Sequence, residues 1–343
     1  MDARSGLPQW TSRQIVAARP SVSRPAPGNR PLGVLWEREA AGDAALADAC
    51  TVFLRGSECR FRCAMCDLWK STHWQPTRPG DLPAQIRWAL DQPAPDDVSA
   101  AAAEGESLRL RWIKLYNAAN FFADVNVPRR DLPDIARLVC RFDRVVVENH
   151  PKLVERQVLD FRDRLDGRLE LAMGLETVHP ATLAWLNKGL TVDEFAAACA
   201  WLIDHGVDVR TFVLLGLPGM TAAESMDWCR RSVDLARDCG ARHISIIPLR
   251  AGGGVIDRLE REGKFLPPTA EAVETILEGE LGRGAVVTVD LWDFDRLPGQ
   301  CDACRGLRKR RLERINLGQV FMPGVACPRG CRSAGAQPGH STE

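Results

Sequence analysis

The sequence predicts an α/β chain whose strands curl into a partial (β/α)6 barrel, with a C-terminal extension and a small cysteine-rich metal-binding appendix. Two observations predict it. From about residue 50, apolar runs of strand length alternate with longer helical patterns. Six such alternations call for a parallel sheet with crossover helices. In addition, seven of the twelve cysteines fall into two tight groups, one directly after the first strand and one near the C-terminus.

Taken in order, residues 1–35 read as a flexible leader. They hold Pro20, Pro25 and Pro27, and no acid stands between Asp2 and Glu37, a composition also found in transit peptides. The barrel is assigned to residues 45–250, with strands at 51–55, 108–115, 144–147, 169–175, 207–215 and 243–248. Helical patterns fill 83–90, 132–140, 151–165, 180–186, 192–205 and 222–239. Pro83 and Pro180 sit where a first helical turn tolerates proline, and Gly206 and Gly240 follow helix ends. Residues 251–300 form the extension, with Gly252-Gly253-Gly254, a helix over 255–262, Pro267-Pro268, a second helix and a strand-like 285–291. Residues 301–335, rich in Cys, Arg and Gly, form the appendix.

Composition narrows the classes. Lys+Arg and Asp+Glu are each 45, so bulk charge gives no case for nucleic-acid binding. Only six of the 45 basic residues are Lys, a bias that GC-rich coding explains. A hydrophobic share of 45% is enough for a packed core. No apolar run approaches the roughly 18 residues of a membrane span, so a cytoplasmic protein is expected. A long chain with no secretory signal favours metal-bound cysteines over disulfides. Cys50, Cys140, Cys199, Cys229 and Cys239 are scattered, and read as small buried hydrophobes.

Cys59, Cys63 and Cys66 are spaced C-x3-C-x2-C on the loop after the first strand. Three thiolates on a short loop suit three irons of a [4Fe–4S] cluster and leave the fourth iron open. Zinc would want a fourth ligand, for which His73 is the candidate. The motif and the strand–helix array that follows it resemble the radical S-adenosylmethionine (SAM) superfamily, over residues 45–250. The resemblance implies a [4Fe–4S] cluster on these cysteines, with SAM on its open iron. It further implies reductive cleavage of SAM to a 5′-deoxyadenosyl radical, fed by an electron donor such as flavodoxin or ferredoxin.

The resemblance also implies cofactor-binding positions. Met65 stands where many members place an aromatic residue near adenine. Asn117, in the stretch 117–120 that replaces the usual Gly-Gly-Glu, matches the position that receives the SAM amino group. Glu148 at the third strand end is a candidate for SAM or substrate. Glu176, ending the fourth strand, would meet ribose hydroxyls or the SAM amino group. Lys188 would stand near the SAM carboxylate, and Gly216, within 212–219, beside adenine. Segments 116–122, 147–151, 174–177 and 187–189 resemble the Elongator-like branch, and within it the radical SAM enzymes of archaeosine synthesis on tRNA.

The second group, Cys301-x2-Cys304 and Cys327-x3-Cys331, carries a 22-residue insert and accepts zinc or a second iron–sulfur cluster. Between the pairs, residues 305–314 hold six basic residues and one acid, read as a phosphate-binding patch or as a solvated helix face. Asp293 and Asp295, beside Trp292 and Phe294, could shape a substrate pocket or simply pack, and His243 and Arg250 bracket the last barrel strand. Three functions follow. The first is a radical SAM enzyme acting in tRNA or nucleoside modification, the second the same chemistry on a peptide or small metabolite. The third is a non-catalytic, zinc-dependent nucleic-acid-binding protein.

Overall fold

The computed structural model describes residues 7, 9–93 and 110–331. Eight strands form one sheet in the order of the chain. They are β1 (Gly33–Gly42), β2 (Ala45–Phe53), β3 (Leu110–Tyr116), β4 (Arg144–Glu148), β5 (Arg168–Glu176), β6 (Asp208–Leu215), β7 (His243–Pro248) and β8 (Val286–Val289). β1 runs antiparallel to β2, and every later neighbour pairs in parallel. The sheet curls until β1 and β8 come near each other, so the barrel is nearly closed.

Helices surround the sheet: α1 (Ser12–Ala17), α2 (Asp81–Leu90), α3 (Leu132–Val139), α4 (Arg156–Arg162), α5 (Pro180–Trp185), α6 (Val192–Asp204), α7 (Ala222–Asp238), α8 (Val255–Arg261), α9 (Ala270–Glu280) and α10 (Arg305–Gly318). Their starts follow local chemistry. Thr191 and Thr221 close capping boxes with Glu194 and Glu224, and Thr269 caps α9. The main core lies between the helices and the outward-facing strand residues, among them Ile113, Val145, Val147, Leu171, Val209 and Ile244.

The six expected strands are present, and the structure adds one at each side. (Residues 108–109 of the second expected strand, and 332–335 of the appendix, lie outside the described residues.) The strand-like 285–291 is β8, and it pairs with β7 from His243↔Val286 to Ile246↔Val289. The segment assigned to an extension therefore supplies a barrel strand. Its glycine and proline punctuation conceals one more crossover, through α8 and α9.

β1 has no counterpart in the expected elements and begins inside the stretch read as a leader. Its sequence hides it: Glu37, Arg38 and Glu39 break the apolar pattern. The turn into β2 is tight, with Asp43 and Ala44 at φ 50° and 59°, as a two-residue hairpin of this hand requires. Glu37 and Glu39 face buried cations. Lys114 Nζ lies 2.6 Å from Glu37 and 2.7 Å from Glu39. Arg210 reaches Glu39 at 2.9 Å and Glu170 at 2.7 Å. Glu170 also takes Arg144 and Arg242, each at 2.8 Å. Those two guanidiniums flank the Trp112 ring, each 5.0 Å from its centroid. Burial alone would raise the Glu170 carboxyl, but Arg210, Arg242 and Arg144 hold it far below its usual range. These pairs line the barrel floor, where the parallel strands begin.

Candidate active site at the mouth of the barrel

The cysteine loop leaves β2 at the opposite end and is pinned before it starts. Ser57 N–H donates to Thr77 Oγ1 at 2.9 Å, and Ser57 Oγ to Val125 O at 2.6 Å. Asn126 Nδ2 donates to the carbonyls of Ser57 and Glu58 at 3.0 and 3.1 Å. Glu58 then accepts Arg19 at 2.7 Å, Arg24 at 2.8 Å and Arg62 at 3.1 Å. Two further bonds hang the loop on the segment after α5: Ala64 N–H to Leu186 O at 2.8 Å, and Asn187 Nδ2 to Arg62 O at 2.8 Å.

Cys59, Cys63 and Cys66 project from this scaffold. Burial pushes the Cys63 thiol up to about 11 and the Cys66 thiol to about 12, and raises Cys59. The Lys188 ammonium works against that rise at Cys59 and Cys63. Asn120 Nδ2 donates to Cys59 Sγ at 3.1 Å, while its Oδ1 accepts the His150 amide at 2.9 Å. His150 stacks on Phe61, ring centroids 3.7 Å apart and 12° from parallel. Its Nδ1 accepts from the Lys152 amide, so Nε2 carries the proton it donates to Lys188 O at 3.1 Å. Burial and Lys188 push this imidazole down to about 3, so it is neutral.

His73 serves the scaffold. Its backbone forms the bridge with Ser57, and Nδ1 pairs with Gln75 O at 2.8 Å.

Other expected cofactor positions gather at the same mouth. Lys188 Nζ pairs with Glu176 at 2.9 Å, both nearly buried. Glu176 has φ 69° at a break in the β5–β6 register, a strained conformation that turns its carboxylate toward Lys188. Gly174 makes room: a Cβ there would sit 2.0 Å from Glu176 Oε1 and 2.8 Å from Lys188 Nζ. Glu148 accepts the Ala118 amide at 3.1 Å, yet burial pushes its carboxyl up to about 7. Asn117 is fully buried; Oδ1 accepts from Ala119, and Nδ2 has no partner. Such a donor is a place for an acceptor the protein does not supply.

Met65 shares an apolar cluster with Leu214, Leu217 and Trp185. Gly216 is packed differently from the expectation. Its φ is 93°, and a Cβ would meet Pro268 at 2.6 Å, so its close approach is to protein. The Gly216 and Leu217 amides both donate to Ser225 Oγ, at 2.8 and 2.9 Å.

The stretch read as a leader contributes as well. α1 lies in the same cluster through Ile15, joined by Leu7 and Trp10. The Thr11–Gln14 capping box was a visible signal for it. Arg19 and Arg24 were not foreseeable, because their partner Glu58 is remote in sequence.

The basic run of 305–314 is buried at two positions and paired within the chain at two more. Arg308 makes a two-pronged pair with Glu274 at 2.9 and 2.8 Å. Arg311 is buried on Glu274, Glu278 and the Pro323 carbonyl. Lys309 pairs with Asp295 at 3.1 Å, and Arg305 with Asp302. Four of the six cations thus complete contacts within the chain, which corrects the reading of a free phosphate-binding face. Arg310 and Arg314 are exposed. His243, buried at the floor, bonds Thr288 Oγ1 at 2.9 Å, away from the mouth.

Among known proteins, the family model described as "Radical SAM superfamily" matches residues 54–230. The archaeosine synthase subunit beta of Methanosarcina acetivorans is 24% identical over 269 residues, 74% of this chain and 72% of that protein. Three solved structures are similar in part. The Elp3 of Methanocaldococcus infernus has TM-score 0.47 and 12% identity over 68% of this chain and 59% of its own. The Streptococcus suis SuiB bound to S-adenosylmethionine has TM-score 0.44 and 12% identity, covering 68% and 45%. The methyltransferase TsrM of Kitasatospora setae has TM-score 0.40 and 17% identity, covering 60% and 36%. The chain therefore spans between 36% and 59% of the length of these structures. No helix among the described residues is long and apolar enough to cross a membrane.

Proposed function

The chain belongs to the radical SAM superfamily, and from that premise we propose that it is an enzyme of tRNA nucleoside modification working through Cys59, Cys63 and Cys66. The superfamily implies a [4Fe–4S] cluster and SAM. The donor set fits both. Three soft sulfurs lie on one pinned loop, with an amide N–H already directed at one of them. The unpartnered Asn117 Nδ2 and the Glu176–Lys188 pair line the same mouth. This constellation is the observation that carries the reading.

When bound, the reduced cluster supplies the electron that cleaves SAM to methionine and a 5′-deoxyadenosyl radical. The chain's own residues orient and shield. Lys188 would hold the SAM carboxylate, to which Asn117 Nδ2 would also donate, and Glu148 with the backbone carbonyl of Asn117 would face its amino end. An incoming ammonium would draw the Glu148 proton off, since that carboxyl stands near 7. Glu176 would accept ribose hydroxyls. Met65 and Leu217 give an apolar wall for adenine, and α1 keeps water from it. Gly216 supports that wall against Pro268. Electrons would come from a flavodoxin or ferredoxin in the cytoplasm.

The tRNA part of the proposal rests on the 24% identity to an archaeosine synthase subunit. The basic run, four of whose six cations are paired within the chain, favours a second reading, the same chemistry on a peptide or small metabolite. Enzyme membership of the family sets aside the non-catalytic zinc protein. The test is anaerobic reconstitution, dithionite and SAM, with 5′-deoxyadenosine measured by chromatography with and without unmodified tRNA. Formation that rises with tRNA, together with a mass change in one nucleoside, supports the first reading. Cleavage indifferent to tRNA supports the second, and no cleavage at all would sink both.

A further inference from the structure

The sulfurs of Cys301, Cys304, Cys327 and Cys331 all lie within 4.8 Å of one another. Cys301 Sγ stands 3.8 Å from Cys304 Sγ and 3.6 Å from Cys327 Sγ. Backbone amides point at two of them: Cys301 N–H at Cys304 Sγ and Arg329 N–H at Cys327 Sγ, each at 3.4 Å. Cys304 also stands at the N-cap position of α10, where the helix dipole favours a thiolate. Four thiolates in mutual contact need a cation among them, and their spacing selects it. Zinc with sulfur at about 2.3 Å in a tetrahedron sets its ligands about 3.8 Å apart. A cubane puts each thiolate on a different iron, outside a core of four irons and four sulfides, so its ligands stand far beyond contact. A disulfide would bring two sulfurs to about 2.05 Å.

We infer that these four cysteines hold one tetrahedral zinc ion, in a closed structural site, and that the ion fixes one wall of the barrel mouth. Cys301 and Cys304 lead into α10, and Cys327 and Cys331 come from the chain that returns to that end after it. Further along, α10 covers the open edge of β8. Asn316 pairs with both backbone groups of Val289 at 3.0 and 2.9 Å, and Gln319 with both of Val287 at 2.9 Å. Two side-chain amides thus stand in for a ninth strand. Near the zinc end, Arg308 donates to Gly299 O at 2.8 Å, and Lys309 and Arg305 hold Asp295. The stretch they hold leaves β8 at the mouth. With Pro248 and Arg250 from the end of β7, its Asp290, Asp293, Phe294 and Leu297 line a recess. Zinc thereby sets the position of that wall of the mouth.

The test is independent of the Cys59–Cys66 site, because it uses the full chain with all three of those cysteines changed to Ala. Metal analysis after exposure to iron, sulfide and zinc should find about one zinc and no iron per chain. About four irons per chain would overturn the inference, as would no metal with all four thiols open to alkylation. Cobalt(II) exchanged for the zinc should give the intense visible bands of a tetrahedral thiolate site; weak six-coordinate bands would refute it. For the wall, Cys327→Ser/Cys331→Ser in the otherwise native chain should lose zinc and keep native iron. Amide exchange should then quicken about tenfold over 290–304 and 319–331 and hold steady in β4–β6. Chelation of the intact protein gives the same readout if that variant does not fold. Unchanged exchange over 290–299 after zinc loss would refute the positioning role.

Discussion

At the floor of the barrel Glu170 meets three arginines, whereas at the mouth Asn117 keeps a buried amide nitrogen without a partner. Both ends are polar and both are buried. At the floor, positive and negative groups close on one another, and the buried Arg144 Nε and His243 Nδ1 that lack partners belong to side chains tied down elsewhere, to Glu170 and Thr288. At the mouth a carboxyl is held near neutrality, three thiols are held above their ordinary range, and a lysine lies against them. Buried charge that completes itself is architecture; open polarity gathered beside three thiols marks a candidate site. Strand-end position distinguishes the two only when the partners of each group are known.

The comparison breaks most visibly at the mouth. Cys66→Ala should drop the iron bound at this loop and bring 5′-deoxyadenosine to the level of a no-enzyme control, while thermal unfolding shifts little. Retained iron and SAM cleavage would move the centre elsewhere. At the floor the reverse is expected. Glu170→Ala leaves three guanidiniums short of a counter-charge, at a cost of about 3–5 kcal/mol. Iron per folded chain should be unchanged, and a variant of native stability would refute the role of the network.

Gly174→Ala tests the border between them. Its methyl would collide with the Glu176 carboxylate and the Lys188 ammonium. SAM should bind at least tenfold more weakly by isothermal titration, about 1.4 kcal/mol, with little change in the unfolding midpoint. A midpoint that falls while SAM affinity holds would make the pair purely structural.

The two ends should also respond to pH with opposite sign. The Glu148 carboxyl rises from its ordinary 4.5 to about 7 on folding. Its contribution to stability is full below 4.5 and is lost as pH climbs through 7, because the unfolded chain ionises first. Glu170 is held low, so its contribution is present above its ordinary value and is lost as pH falls through the folded one. Urea midpoints from pH 5 to 8 should therefore decline less in Glu148→Gln than in the native chain. Parallel curves would show that Glu148 does not titrate in this window.

The parallel strands and the cysteine loop were legible because each is local: apolar runs fix β2 to β7, and C-x3-C-x2-C is one short stretch. β1 was not, since Glu37 and Glu39 look like surface residues until Lys114 and Arg210 are known to face them. α10 misled in the other direction. Its run of cations reads as a patch for phosphate, and only Glu274 and Glu278, some thirty residues earlier, show otherwise. Glu176 and Lys188 were named from strand-end position. Asn120 and His150 acquire their roles only when β3 and β4 bring them beside Cys59.

Asn120 carries the smallest expected effect and the finest test of the mouth. Its Nδ2 donates to Cys59 Sγ, and its Oδ1 is fixed by the His150 amide, so the donor cannot turn away. Hydrogen bonds to ligand sulfur stabilise the more negative, reduced state of an iron–sulfur centre. Asn120→Ala removes that bond and leaves the three ligands in place. The reconstituted protein should hold the same iron, and its midpoint potential in an EPR-monitored titration should become more negative. Asn120→Asp keeps the shape, replaces the donor by a negative charge, and should shift the potential further in the same direction. If neither variant moves the potential, the Asn120–Cys59 contact serves only to shape the loop, and the electrostatic contrast between mouth and floor loses one of its supports.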